Sequence, residues 1–338
     1  MRRRAFLLGM LASPLAYGGP QAHPTAYPKV VKGTRLRFPR DHGAHPEFRT
    51  EWWYATGWLA RGKEPLGFQV TFFRARPRWT SENPSSFAPR QLLVAHAAIA
   101  DPEHGRLRHE QRAARGALGL AGAGMRTTEA WIDGWRLALE GGAYRARIAA
   151  REFTLDLSLR APRAPLLQGE AGFSRKGRRP EEASYYYSRP HLEVGGTLDG
   201  KAVAGSAWLD HEWSSQYLAP EAAGWDWCGI NLAGGKSFTA FRMRDRQGGV
   251  HYAAPGVAFT PLKTWRSPRT GVEYPVAMRV AAGGEEFDLE PLMEDQELDA
   301  RASTGTIYWE GAVRALKAGK EVGRGYLELT GYWKPMAL

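Results

Sequence analysis

Residues 207–232, AWLDHEWSSQYLAPEAAGWDWCGINL, hold four tryptophans, four carboxylates, one histidine and the chain's only cysteine. A plain core excludes carboxylates, and a zinc site asks for more histidines. Acids set among indoles point to proton transfer in an apolar surround, because burial penalises the charged form and leaves a carboxyl able to donate. Alternate residues of a strand share a face. Asp210 and Glu212 therefore lie with Trp208, while His211 lies with Leu209 and Trp213. Asp226 shares an otherwise apolar stripe with Cys228, Ile230 and Leu232, and is the expected acid. An Asp capping a turn after Gly224 is the competing reading.

A second aromatic stretch, EWWYATGWL, begins at Glu51. One face carries Trp52, Tyr54, Thr56 and Trp58; the other carries Glu51, Trp53, Ala55, Gly57 and Leu59. Both are apolar, so the strand is covered on both sides. It reads equally as core and as the wall of a lipophilic cavity with Glu51 at its mouth. His96 and Arg242 are polar intrusions in apolar strands, more often satisfied core groups than catalysts.

Several motifs fail on inspection. His211-Glu212-Trp213-Ser214-Ser215 has a serine where a zinc-protease helix needs its second histidine. His42 and His45 have no further ligand at useful spacing, so no metal is expected. Gly235-Lys236-Ser237 lacks the leading glycine of a phosphate loop, residue 230 being Ile. No G-x-S-x-G elbow and no dinucleotide fingerprint occur. What remains is a cofactor-free site of carboxylates, histidine and indoles.

The elements that must position these residues are strands. Apolar alternation marks 51–60, 66–75, 91–100, 105–112, 128–139, 184–199, 202–213, 225–233, 237–246, 305–315 and 323–333, among others. Turn signals such as Gly141-Gly142, Asp199-Gly200 and Gly283-Gly284 separate them. No stretch keeps a helical period over three turns. The chain is read as all-β, with too many strands for one small barrel and enough for two. The break falls near 216–222, so the acid-rich run straddles a domain junction, a preferred place for ligands.

The 338 residues are 43% apolar and carry a formal charge of +11. The basic residues are scattered and no nucleic-acid module appears, so nucleic acid is not expected as a partner. Arg2-Arg3-Arg4 ahead of a short apolar run and small residues reads as an export signal over 1–19, with twin-arginine character, which places the protein in the periplasm. Residues 20–34 read as a linker, 35–218 as the first barrel and 219–338 as the second.

EWWYATGWL, YYYSRPHLEVGGTL, GSAWLDHEWSSQYL, GWDWCGINL and GRGYLELTGYW together resemble the carotenoid 1,2-hydratase (hydroxyneurosporene synthase) family over about 35–338, and more closely its exported, AttH-type branch. The resemblance implies two tandem lipocalin-like β-barrels and a cofactor-free hydro-lyase or isomerase acting on a lipophilic isoprenoid. Asp226 would then be the acid, His211 or Asp210 would orient water, and Glu212 would stand by as a further acid–base group. Trp52, Tyr54, Trp213, Trp225 and Trp227 would line the pocket, with Glu51, His96 and Arg242 beside them. The alternative is a non-catalytic periplasmic carrier of a lipophilic molecule for an ABC transporter, with peripheral membrane contact left open. A hydrolase built on Asp210, His211 and Glu212 lacks a nucleophile motif.

Overall fold

The computed structural model describes residues 23–80, Ser85, Ala88 and 90–336. The export signal expected over 1–19 lies outside the described residues. Within them the regular structure is all strand, apart from two short 3-10 turns at Arg40–His42 and Ala233–Gly235. Nine strands position the site: β1 Thr50–Arg61, β2 Glu64–Ala75, β3 Leu92–Ala100, β4 Ala183–Leu198, β5 Lys201–Ser214, β6 Ala222–Leu232, β7 Ser237–Asp245, β8 Thr306–Lys317 and β9 Lys320–Leu329.

Two large antiparallel sheets divide the strands. The first runs from Arg108–Arg115 through β3, β2, β1, β5 and β4 to Thr154–Arg160 and on to Ala121–Ala123. It curls until its first strand reaches the end of Ala143–Ala149, side chain to backbone. Arg112 Nη2 donates to the Ala149 carbonyl at 3.0 Å, and the Arg151 amide donates to Glu110 Oε2 at 2.7 Å. The second runs from Val250–Ala253 through β7, β6, β9 and β8 to Ala258–Arg266. There Arg242 Nη1 reaches the Phe259 carbonyl at 2.8 Å to draw the ends together. The result is two tandem lipocalin-like barrels. The first sheet's β5 ends at Ser214 and the second sheet's β6 begins at Ala222.

Each barrel fills its interior with one face of its strands, as period-2 alternation requires. Trp53, Ala55, Leu59, Phe68, Phe72 and Leu209 fill the first. Cys228, Ile230, Met278, Trp309, Leu327 and Leu329 fill the second. The outer faces of β1 and β5 then dock on the outer faces of β6, β8 and β9. Tyr54, Trp58, Trp208, Trp227, Ala312 and Tyr326 make this seam. Trp58 Nε1 donates to the Gly325 carbonyl at 3.0 Å across it. Burying each such ring is worth about 1.5–3 kcal/mol, which makes the seam a second core.

Two expectations need correction. The run 128–139 is not one strand: Glu129–Ile132 and Trp135–Glu140 form a hairpin that turns at Asp133-Gly134, with Asp133 at a φ of 50°. Residues 23–34 do not hang free as a linker. His23–Pro24 pairs with Trp79–Thr80, Val30 is buried, and the Tyr27 hydroxyl donates to the Pro77 carbonyl at 2.7 Å.

Candidate active site between the barrels

The sheet wall sorts the acids of the quoted run by face. β5 pairs Asp210 with Tyr54 and Glu212 with Trp52 of β1, and these four point outwards into the seam. His211 and Trp213 point the other way, into the first barrel. On β6, Trp225 and Trp227 face the seam, while Asp226 faces the interior of the second barrel. The residues expected to act together are thus divided among three environments.

Asp226 is 0% exposed. Its Oδ2 accepts from Arg242 Nε at 2.6 Å and its Oδ1 from Arg244 Nε at 3.1 Å and the Tyr332 hydroxyl at 3.0 Å. The proton-donor role expected for it is therefore corrected: both oxygens serve as acceptors in a two-arginine ion pair. Arg242 is corrected with it, being committed to Asp226 and the Phe259 carbonyl rather than to a ligand. Glu51 is not at a cavity mouth. It is 0% exposed inside the first barrel, where it holds His45, His211 and Arg74. Trp213 stacks on His45 there, with ring centroids 3.8 Å apart, so neither it nor His211 reaches the seam. His96 is a satisfied buried group, with Nδ1 2.8 Å from the Tyr308 hydroxyl and Nε2 2.9 Å from Ser303 Oγ.

The seam itself gathers four acids. Asp210 takes hydrogen bonds from Ser188 (2.5 Å), Trp208 Nε1 (2.7 Å) and Tyr186 (2.8 Å). Burial outweighs these donors and pushes its carboxyl up to about 7. Glu212 is raised by the same cause, although Lys176 Nζ lies 2.6 Å away and pulls in the other direction. Lys176 is 1% exposed and caged by the rings of Phe241, Tyr186 and Tyr217, 4.5, 4.7 and 5.1 Å from its nitrogen.

Two further acids come from the last strands, where sequence reasoning did not look. Glu310 of β8 and Glu328 of β9 stand directly opposite one another in register. Glu328 Oε2 accepts from Trp225 Nε1 at 2.9 Å. Burial pushes Glu328 up to about 7, with the charges of Asp210, Glu212 and Asp226 adding to the rise. Glu310 is raised too, first by burial and then by the charge of Glu328. Glu310 and the Tyr54 hydroxyl are buried and interact with each other. Unlike Glu310, Glu328 is only half-buried, and so are Trp52, Trp225 and Phe241 around it. A deep carboxyl that solvent still touches is one that a ligand can reach. The missed signal was faint: Glu310 and Glu328 each break a run of apolar residues in GTIYWEGAV and GYLELTGYW.

The seam continues along β1 and β9 into a cleft of about 450 Å³, lined by Thr56, Trp58, Trp208, Asn231, Arg324 and Gly325 among others. Glu328 lies three positions along β9 from Gly325, about 10 Å of strand, and does not itself line the cleft. The arrangement offers an acid of raised pKa against indole faces, with a cleft about 10 Å along the strand that has Trp58 and Trp208 in its wall.

One group met inside the first barrel was dismissed on sequence spacing. His45 and Glu51 are six residues apart, but His211 is 160 residues beyond Glu51, and only the fold unites them.

Comparison with known proteins fits this architecture. The AttH-like family model matches residues 29–332. The crystal structure of a protein from Nitrosomonas europaea, solved as a candidate AttH, is 47% identical, covering 90% of this chain and 99% of that one, with a TM-score of 0.84. Kievitone hydratase from Nectria haematococca shares the fold at 16% identity and a TM-score of 0.62, over 93% of this chain and 98% of that one. No curated protein matches. On the match to its family model and the close likeness to the Nitrosomonas protein, the chain belongs to the AttH-like family.

Proposed function

We propose that the protein is a hydratase-type lyase or isomerase that protonates a carbon–carbon double bond of a lipophilic, isoprenoid-like substrate between its two barrels. The observation that carries this reading is Glu328, a carboxyl pushed up to about 7 and set against the Trp225 indole on a half-buried aromatic wall. Protonating an alkene needs an acid that keeps its proton near neutral pH, and desolvation supplies one. The tertiary cation that follows needs stabilising by groups that do not trap it. The faces of Trp52 and Trp225 do this by cation–π attraction, worth about 2 kcal/mol or more when desolvated. Glu310 and Tyr54, interacting polar groups in the same seam, are the groups that would orient water. That this fold carries a hydratase in Nectria haematococca adds support at the level of architecture.

The carrier reading gains from one observation: Asp226, the acid first expected, is locked to two arginines. In that case the seam holds an apolar cargo, and an exported chain would hand it to a transporter.

The test is to incubate purified protein with an acyclic isoprenoid polyene in H₂¹⁸O and look for a labelled adduct by mass spectrometry, beside Glu328→Gln. An adduct formed by wild type and lost in the folded variant supports the enzyme. Polyene that co-purifies unchanged supports the carrier.

A further inference from the structure

We propose that His45, Glu51 and His211 form a binding site for one divalent transition-metal ion, of the zinc or cobalt class, inside the N-terminal barrel. The site is separate from the seam and on the opposite face of β1 and β5. His45 Nδ1 lies 2.8 Å and His211 Nε2 2.9 Å from one and the same oxygen, Glu51 Oε1. The three donor atoms fall within 4.8 Å of one another, and all three residues are buried. Two imidazoles and a carboxylate are a donor set that zinc accepts, with a fourth position left for water or another ligand. With the ion bound, each imidazole would be neutral, its near nitrogen on the metal and its one ring proton on the far nitrogen, towards Asp41 or Tyr187.

The surroundings hold the ligands as metal sites usually do. The far nitrogen of a metal-bound histidine normally meets a carboxylate or another polar group that fixes the ring. Here His45 Nε2 faces Asp41 Oδ1 at 3.4 Å, and His211 Nδ1 faces the Tyr187 hydroxyl at 3.1 Å. Glu51 Oε2 is held by Arg74 Nε at 2.8 Å, and the His45 amide donates between the two oxygens, 2.9 Å from Oε2 and 3.1 Å from Oε1, while Oε1 faces the two rings. The rings themselves are clamped flat. His45 stacks on Trp213 with 6° between planes, and His211 stacks on Trp53 at 4.7 Å. A cavity of about 300 Å³ lies next to the group, lined by Ala44 and Pro46, which flank His45, and by Arg74 and Gln91.

The experiment is equilibrium dialysis of the full chain against Zn²⁺, with metal counted per chain, and titration with Co²⁺ followed by its visible absorption. One ion per chain and a low-symmetry Co²⁺ spectrum are expected. His211→Gln should weaken binding at least tenfold, and Asp41→Asn, which leaves all three ligands in place, roughly 10–100-fold. His104→Gln, an exposed histidine elsewhere, should change nothing. Wild-type protein with an unaltered circular dichroism spectrum that retains no metal overturns the proposal. So does equal retention by a folded His211→Gln. Should that variant not fold, Asp41→Asn and the Co²⁺ spectrum of the wild type decide. The readout is metal content rather than turnover, so its failure leaves the hydratase reading untouched.

Discussion

Asp226 and Glu328 sit on neighbouring strands, one residue out of register, and the pleat sends them to opposite sides of one sheet. That difference of face separates a structural acid from a chemical one. Removing the Asp226 carboxylate strands two buried guanidiniums, so Asp226→Ala should cost about 3–5 kcal/mol in urea unfolding. Glu328→Gln keeps the hydrogen bond to Trp225 and should leave the unfolding midpoint near wild type. On a polyene that the wild type hydrates, the same variant should lose about 10²–10⁴-fold in rate, the usual contribution of a general acid. The pH dependence has a definite sign. Glu328 is raised, to about 7, so it holds its proton below that value and loses it above. Activity should therefore fall as pH rises through about 7, and Glu328→Gln should abolish that limb of the pH–rate profile. The Asp226 stripe was correctly read as apolar from the sequence. What period-2 alternation cannot give is the partner: Arg242 and Arg244 come from the next strand, and their aim follows from pairing.

At the scale of the strand, much was legible because alternation is a local property. The faces assigned to Trp52, Tyr54, Trp208, Asp210 and Glu212 are the faces the fold uses. Glu310 and Glu328 were not legible as a pair, since their meeting depends on the register of β8 against β9. The same holds for Glu51 and His211, joined by the pairing of β1 with β5, to which the loop ahead of β1 adds His45. Register also sets how closely the barrels approach. A Cβ added at Gly67 of β2 would lie 2.7 Å from both Ala312 Cβ and the Tyr326 hydroxyl. Gly67→Ala should thus wedge the seam and lower stability by about 1–3 kcal/mol. Gly195→Ala, with nothing within 4 Å of the new methyl, is the matched control and should be near neutral. Thermal unfolding of the two variants side by side checks this.

For the whole molecule, the seam makes two barrels behave as one unit, and its polar contacts make that union depend on pH. His96 ties β3 of the first barrel to Tyr308 and Ser303 of the second, and burial pushes its pKa down to about 3. An unfolded chain takes up this proton near 6.5, whereas the folded chain refuses it until far lower pH. The stability linked to neutral His96 is therefore present above about 6.5 and is lost progressively as pH falls towards 3. Glu328 and Asp210 act in the opposite sense, being raised, so they favour the folded chain as pH falls below 7. The net slope mixes these terms, and a variant isolates one of them. His96→Gln keeps a side chain able to bond Tyr308 but has no proton to take up. The difference in unfolding free energy between wild type and His96→Gln should hold steady above pH 6.5 and shrink steadily below it. A difference that stays constant down to pH 4 would show that His96 is not the neutral link between the barrels.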